Sequence, residues 1–167
     1  KFLFIHGTPP RDVLDFKTIW RGDYGHANIA NDISMPPVDV PLFPNASGFK
    51  AKTRTTGHWF GGFQNCAEFC PKLHHLKVNG TKQFEWLNWK ECSDNPVMAQ
   101  GGTWLYDRAG WCPGTFATTY DHEITPFISS GDTSVNIDYG MEVTSGGMEG
   151  NYRLTVQLVS YGDYNFQ

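Results

Sequence analysis

Apolar and polar residues alternate at several places along this chain, and the alternation predicts short strands. The basic and polar side chains in segment 49–56 fall on one face, so we expect that strand to have one wet and one packed face. The Asn79-Gly80 dipeptide predicts a tight hairpin turn, because both residues tolerate positive φ. The predicted strands with the clearest signals are 49–56, 73–78, 81–89, 135–143 and 152–158.

Less regular strand patterns cover residues 1–5, 12–20, 33–44 and 118–128. The prolines at positions 9 and 10 end the first, and the four prolines within 33–44 favour an edge strand or an extended connection. Residues 21–31 and 91–102 are predicted loops, and Gly146-Gly147 a turn. About eight strands and no amphipathic helix indicate an all-β fold. The spacing favours an antiparallel jelly-roll β-sandwich over an immunoglobulin-type arrangement.

Composition narrows the classes of function. The 167 residues suit a single domain, and 15% aromatic residues with 18 glycines favour sheets and turns. A net charge of −4 without a basic run argues against a nucleic-acid partner. No apolar stretch approaches the roughly 20 residues of a membrane helix, so we expect no membrane partner. Lys1 opens into an apolar strand without a cleavage site, which predicts a domain cut from a larger protein.

Four cysteines and two glycosylation sequons, at Asn45 and Asn79, indicate an oxidising compartment. Such a compartment is the extracellular space, the periplasm or the secretory pathway. The sequons accept glycans only in a eukaryotic secretory pathway, and a bacterial source would leave both bare.

The loop 57–70 is unusual because it holds glycines, aromatic residues, a histidine and one carboxylate between two cysteines. In an extended chain the Cα atoms of Cys66 and Cys70 would lie roughly 13 Å apart, too far for a disulfide. A tight loop or one helical turn would bring them into bonding distance and would point Glu68 away from the bridge. Glu68 would then be a preorganised carboxylate.

Two alternatives remain open for this loop. Cys66 and Cys70 with one of His74 and His75 have the ligand types of a zinc site, although adjacent histidines on a strand face opposite ways. Glu68 is alternatively a solvated surface acid, the ordinary state of a glutamate.

A second dense stretch spans residues 103–114. Trp104 and Tyr106 are predicted to pack on one strand face, with Arg108 and Trp111 in the following turn. Arginine can bind carboxylate or carbonyl groups with its planar fork, and an exposed indole can stack on a sugar. A bridge from Cys92 to Cys112 would contribute about 3 kcal/mol in the chain-entropy model, and the shorter loop between the other two cysteines about 2 kcal/mol.

These stretches resemble the C-terminal domain of the peptide-N-glycosidase F family over nearly the whole chain. The resemblance rests on Thr56-Gly57-His58, on Cys66-x-Glu68-x-Cys70, and on the run from Gly102-Thr103-Trp104 to Arg108-x-x-Trp111-Cys112-Pro113-Gly114. It implies an amidase built from two eight-stranded jelly rolls. Such enzymes cleave the bond between asparagine and the first N-acetylglucosamine of N-linked glycoproteins, giving aspartate and a glycosylamine.

The resemblance also implies roles for individual residues. It makes Glu68 and Arg108 catalytic, and it places His58 and Trp111 at the site. We expect Trp59, as an exposed aromatic residue, to bind the sugar with them. It pairs the cysteines as Cys66–Cys70 and Cys92–Cys112, and it implies neither a metal nor a cofactor. The family's principal catalytic aspartate lies on an N-terminal jelly roll that this chain lacks, so we expect the chain alone to hydrolyse nothing.

Two other classes of function stay open. A detached jelly roll with exposed Trp59 and Trp111 could be a carbohydrate-binding module for N-glycan cores, without catalysis. A domain like the copper-dependent peptide hydroxylases would use histidine pairs such as His74-His75 and a methionine.

If Glu68, Arg108 and Trp111 act together, their loops must share one rim of the sandwich. That rim should face the missing domain, because exposed aromatic residues are normal at a domain interface. We expect segment 1–10 to lie at the same rim, since it would connect the two domains.

Overall fold

The computed structural model of the chain describes residues 3–4, 6–62, 66–95, 97, 100–144 and 150–165. It confirms the predicted all-β jelly roll with eight antiparallel strands in two sheets. In order, the strands are β1 (Arg11–Gly25), β2 (Val38–Pro41), β3 (Gly48–His58), β4 (Leu73–Val78), β5 (Thr81–Leu87), β6 (Thr119–Glu123), β7 (Ser134–Met141) and β8 (Asn151–Tyr164). A five-residue helix, α1 (His26–Ala30), follows β1. The described helices are all too short to cross a membrane.

The two sheets have the strand orders β1-β8-β3-β6 and β2-β7-β4-β5, and they pack face to face. The inward side chains of β3, β7 and β8 fill the space between them, as their alternation predicts. β2 is an edge strand, as the prolines of segment 33–44 indicate, and Asn79 and Gly80 have the predicted positive φ angles of 50° and 77°. Burial of this apolar surface is the main force that holds the sheets together.

A buried polar chain crosses the core between the sheets. The hydroxyl of Tyr139 lies 2.6 Å from Thr55 Oγ1 and 2.6 Å from His74 Nδ1. Burial lowers the pKa of His74 to about 3, so this ring is neutral at neutral pH. His122 is also buried, and its Nε2 lies 3.1 Å from Thr53 Oγ1.

Strand register defines the two rims of the sandwich. His58 at the end of β3 and Gly25 at the end of β1 both pair with Asn151 at the start of β8. We call this end the site rim. At the opposite rim, Arg11 pairs with Tyr164.

The prediction that segment 1–10 lies at the site rim is wrong for its described end. The backbone oxygen of Pro10 accepts a hydrogen bond from Asn165 N at 2.9 Å, which places Pro10 at the opposite rim. The predicted first strand is not formed at Leu3 and Phe4. Residues 1, 2 and 5 lie outside the described part, as does the predicted turn at 146–147.

Three further sequence predictions need correction. β1 continues to Gly25 through a segment predicted as loop, because pairing with β8 supports its polar residues. The predicted strand 118–128 ends at Glu123, and a 3-10 turn containing Pro126 follows, since proline cannot donate to a ladder. Trp104 and Tyr106 lie in a turn, and Tyr106 is 63% exposed, so they do not form a packed strand face.

Candidate active site

Three loop segments meet beyond the end of β3 at the site rim. Gly57 N donates a hydrogen bond to Ala109 O at 2.9 Å, and Ala109 N donates to Glu68 O at 2.9 Å. Glu68 N donates in turn to Trp59 O at 2.8 Å. Both backbone polar groups of Glu68 are therefore fixed by neighbouring segments. Residues 63–65 of the loop 57–70 lie outside the described part.

The segments approach one another so closely that two positions require glycine. A Cβ atom at Gly57 would lie 2.3 Å from the backbone oxygen of Ala67. At Gly110, with a φ of 77°, a Cβ atom would lie 2.1 Å from the backbone oxygen of Thr55. Any larger residue at either position would push the segment that carries Glu68 or Arg108 away from β3.

The four cysteines form the two expected disulfides. Cys66 and Cys70 are bonded with a Cα–Cα distance of 4.7 Å, and Cys92 and Cys112 with 5.4 Å. The zinc alternative at Cys66 and Cys70 is therefore wrong, because bridged cysteines offer no thiolate.

The two candidate copper ligands, His74 and His75, face opposite sides of their strand. His74 points into the core, where its Nδ1 bonds to Tyr139, and His75 covers Gly140 on the outer face. They do not form a ligand pair. Within the described ranges, no three histidine, cysteine or acidic side chains lie close enough to hold a metal ion.

Glu68 and Arg108 form an ion pair at the site rim, as the shared-rim hypothesis requires. Arg108 Nε donates to Glu68 Oε1 at 2.9 Å. The arginine side chain is 3% exposed and the glutamate side chain 15%. Glu68 Oε2 has no partner among the described residues. The pair therefore holds one carboxylate oxygen of Glu68 in place.

The remaining contacts of Arg108 fix its guanidinium group within the protein. Nη1 donates to Tyr106 O at 2.8 Å, and Nη2 donates to Thr103 O at 2.8 Å and to Thr103 Oγ1 at 2.9 Å. The rings of Phe69 and Trp111 lie 4.9 and 5.1 Å from the guanidinium carbon. Each guanidinium nitrogen is thus already bonded, which suits a residue that positions Glu68.

His58 and Trp111 pack together beside the ion pair. Their ring centres lie 5.5 Å apart, and Trp111 Nε1 donates to Gly57 O at 2.9 Å. His58 Nε2 lies 2.9 Å from Thr56 Oγ1. Burial and, to a lesser extent, the nearby charge of Arg153 lower the pKa of His58, so the neutral ring predominates at neutral pH.

Trp59 stands at the mouth of the site. It is 53% exposed, and its φ of 121° is rare for a residue with a side chain. Such backbone conformations persist where the surroundings enforce them, often at functional sites. Here the surroundings include the hydrogen bond that Trp59 O accepts from Glu68.

An open groove of about 410 Å³ runs beside the ion pair. Its walls are largely aromatic and consist of residues that the sequence analysis did not assign to the site: Phe60, Phe69, Trp89, Thr103, Tyr106 and Asp107. Phe60 and Phe69 lie within the loop 57–70, and their position in that unusual loop was the sequence signal that could have identified them. Trp89 was hidden because the pattern assigned it to a strand.

Asp107, the acid nearest to the pair in sequence, is a structural residue. Its Oδ1 accepts a hydrogen bond from Cys92 N at 2.9 Å. The described rim therefore presents the Glu68 carboxylate beside an aromatic groove that Asp107 also lines. This arrangement can bind a sugar or amide group and exchange a proton with it.

The two sequon asparagines differ in their surroundings. Both are exposed and have positive φ. The side chain of Asn79 donates to Phe127 O at 2.9 Å and accepts from Asn136 N at 3.0 Å, whereas Asn45 has no side-chain partner among the described residues. Glycosylation at either position stays a prediction.

Comparisons with known proteins match this fold and these motifs. A family profile described as "Peptide-N-glycosidase F, C terminal" matches residues 26–159. The chain is 40% identical over 79 residues to the peptide-N(4)-(N-acetyl-beta-D-glucosaminyl)asparagine amidase F of Elizabethkingia miricola, covering 42% of this chain and 22% of that protein.

Solved structures show the same fold. A recombinant peptide:N-glycanase F matches with a TM-score of 0.76 and 20% identity over 98% of this chain and 56% of its own. PNGase F, a glycosylasparaginase from Flavobacterium meningosepticum, matches with a TM-score of 0.76 and 19% identity over 95% of this chain and 55% of its own. The chain thus spans little more than half of these structures. Since the family profile covers most of the chain, this protein belongs to the peptide-N-glycosidase F family, through its C-terminal domain.

Proposed function

We propose that this chain is the C-terminal part of an amidase that removes N-glycans from glycoproteins by hydrolysing the asparagine–N-acetylglucosamine amide bond. The observation that carries the proposal is the Glu68–Arg108 ion pair, fixed at one rim beside the aromatic groove. The name of the Elizabethkingia relative, an asparagine amidase, supports the same reaction.

Amide hydrolysis requires a group that activates water and a group that handles the leaving nitrogen. The water oxygen attacks the asparagine carboxamide carbon, the carbon–nitrogen bond breaks, and the nitrogen leaves on the sugar with the proton. Glu68 is proposed to hold the first sugar or to take part in this proton transfer through Oε2. Arg108, proposed as catalytic by resemblance, acts by holding Glu68, since each of its three guanidinium nitrogens is bonded within the protein.

The aromatic residues at the rim are proposed to bind the sugar. Trp59 is exposed and can stack on an apolar sugar face. His58 and Trp111 pack beside the pair, where they shape the site. The groove beside Phe69 offers room for the next sugar.

Glu68 is proposed to supply one of these groups, and Asp107 is bonded to the backbone of Cys92, so the proposal includes an N-terminal jelly roll that completes the site. The share of the matched structures that this chain leaves uncovered has room for such a domain. The two disulfides indicate an oxidising compartment, and we propose that the enzyme is secreted or periplasmic.

The experiment is a release assay on a denatured N-glycoprotein, with the chain alone and with the chain joined to the N-terminal jelly roll. We expect free glycan and conversion of the glycosylated asparagine to aspartate only with the joined protein. Turnover by the chain alone, or none by a folded joined protein, would contradict the proposal.

The aromatic groove also fits a second function, a carbohydrate-binding module for N-glycan cores. This candidate predicts that the chain binds core oligosaccharides on a glycan array. It also predicts no turnover, either by the chain alone or by the joined protein.

A further inference from the structure

The outer face of the first sheet carries two arginines in one cross-strand row. Arg21 on β1 pairs with Thr155 on β8, and Thr155 pairs with Arg54 on β3. All three side chains point outward, and both arginines are exposed. We call these three residues the arginine row. Strand spacing places the two arginine Cα atoms roughly 10 Å apart.

The charged residues in the flanking rows neutralise one another. Lys52 Nζ lies 2.8 Å from Asp121 Oδ1. Arg153 binds Asp23 with two hydrogen bonds, of 2.9 and 3.1 Å. Neither carboxylate is therefore left to compensate the arginine row.

The arginine row keeps most of its donors unused. Arg54 Nε donates to Thr119 Oγ1 at 2.9 Å, and its terminal nitrogens have no partner among the described residues. Within the same part of the chain, Arg21 has neither a hydrogen bond nor an ion pair. Two positive charges thus face solvent on either side of the Thr155 hydroxyl group.

The surface beside the row is concave. Two grooves, of about 200 and 520 Å³, share Arg21, Arg54 and Thr155 in their walls. The walls contribute four cations in all, Arg21, Lys52, Arg54 and Arg153, against one carboxylate, Asp23. A small anion placed over Thr155 would meet both arginines, and guanidinium groups bind oxyanions through paired hydrogen bonds.

We propose that the arginine row is a subsite for an oxyanion group carried by the oligosaccharide substrate, as the carboxylate of an acidic sugar or as a sulfate or phosphate ester. This inference rests on the proposed function. Arg54 precedes His58 by four residues on β3, so the row lies roughly 13 Å from the site rim. The branches of a glycan held at the rim can reach that distance.

The test is a binding titration of the full chain, with free glycans and with sodium sulfate as probes. One glycan carries terminal carboxylated sugars, and its neutral counterpart has the same branching without them. We expect tighter binding of the acidic glycan, and saturable sulfate-induced shifts of the Arg21 and Arg54 side-chain NMR signals. Arg21→Gln and Arg54→Gln should each lower the affinity for the acidic glycan about tenfold.

Lys50→Gln is the matched control, because it removes one positive charge from the outer face of the same strand. It should leave the affinity nearly unchanged. Equal losses of affinity in all three variants would show that the acidic glycan is attracted by overall positive charge, and this would overturn the proposed subsite. Sulfate binding without preference for the acidic glycan would overturn the assignment to an oligosaccharide.

Association with the N-terminal jelly roll is measured in the same variants. Loss of association in place of glycan affinity would assign the row to a domain interface and overturn the proposal. These readouts measure binding, whereas the release assay measures hydrolysis, so either proposal can fail alone.

Discussion

Glu68 is held by more contacts than a surface acid requires. Its backbone is bonded to Trp59 and Ala109, and one carboxylate oxygen is bonded to Arg108. Arg108 in turn is held by Thr103 and by Tyr106. An arginine whose nitrogens are all hydrogen-bonded loses little further conformational entropy when a ligand binds. The arrangement is therefore one of preorganisation, in which a buried cation fixes one acid for use.

The positioning role of Arg108 predicts a particular pattern of non-additivity. In the completed enzyme, Arg108→Lys keeps the charge but cannot bond Thr103, Tyr106 and Glu68 together, so we expect about 10²-fold lower kcat. In a Glu68→Gln background the same change should cost little more, because the residue it positions is already disabled.

The control for this cycle is Arg153→Lys, which alters an exposed pair with Asp23 and should leave kcat unchanged. Losses that simply add in the double variant would show that Arg108 acts on the substrate by itself. In that case its assignment as a positioning residue would be wrong.

At the level of elements, alternation predicted those strands whose inward faces are apolar. β3 and β4 follow the pattern closely, because core packing selects every second side chain. The last third of β1, residues 21–25, was missed, since its polar residues are supported by β8, distant in sequence. α1 was missed because five residues are too few for a periodic signal.

The sequence predicted the site only in part, because the site also depends on contacts between residues that are distant in sequence. Motif resemblance selected Glu68 and Arg108, which are 40 residues apart, but no local pattern states that they touch. The sugar-binding role expected of Trp111 stays a prediction, and its indole nitrogen is bonded to Gly57. Contacts between loops depend on the assembled sandwich, which periodicity does not describe.

The two disulfides should contribute differently to stability and to activity. Replacing Cys92 and Cys112 by serine should lower the free energy of unfolding by about 3 kcal/mol, and replacing Cys66 and Cys70 by about 2 kcal/mol. Loss of the smaller bridge should nevertheless reduce activity more, because it frees the loop that carries Glu68.

Denaturant titrations and release assays well below the unfolding transition separate these two effects. If the Cys66–Cys70 variant kept full turnover while folded, the bridge would not be needed to position Glu68.

For the whole molecule, buried histidines make stability depend on pH. Burial lowers the pKa of His74 to about 3 and that of His122 to about 4, below the unfolded value of roughly 6.5. Below about pH 6.5 the unfolded chain therefore binds more protons than the folded chain does. Their stabilising contribution is complete above that pH and decreases by up to about 1.4 kcal/mol per pH unit for each histidine on acidification.

Unfolding free energies measured between pH 7 and pH 4 test this dependence. His122→Gln should reduce the slope of the unfolding free energy against pH by the contribution of one proton. The glutamine amide still offers a hydrogen-bond partner to Thr53. An unchanged slope in that variant would show that His122 already titrates normally in the folded chain.

The two rims of the sandwich carry different features. The site rim gathers the ion pair and the exposed aromatic residues Trp59 and Phe60, whereas Pro10 lies at the opposite rim. The proposed N-terminal domain must therefore contact the site rim, although Pro10 lies at the opposite rim.

The most direct test of the account is the effect of Glu68→Gln on glycan release by the completed enzyme. The substitution keeps size and one acceptor but removes ionisation, so we predict at least about 10²-fold slower release with a nearly unchanged melting temperature. Glu91→Gln, at an exposed loop position, is the matched control and should release glycan at the normal rate. Retained turnover in Glu68→Gln together with a lowered melting temperature would show that Glu68 is structural and would contradict the account.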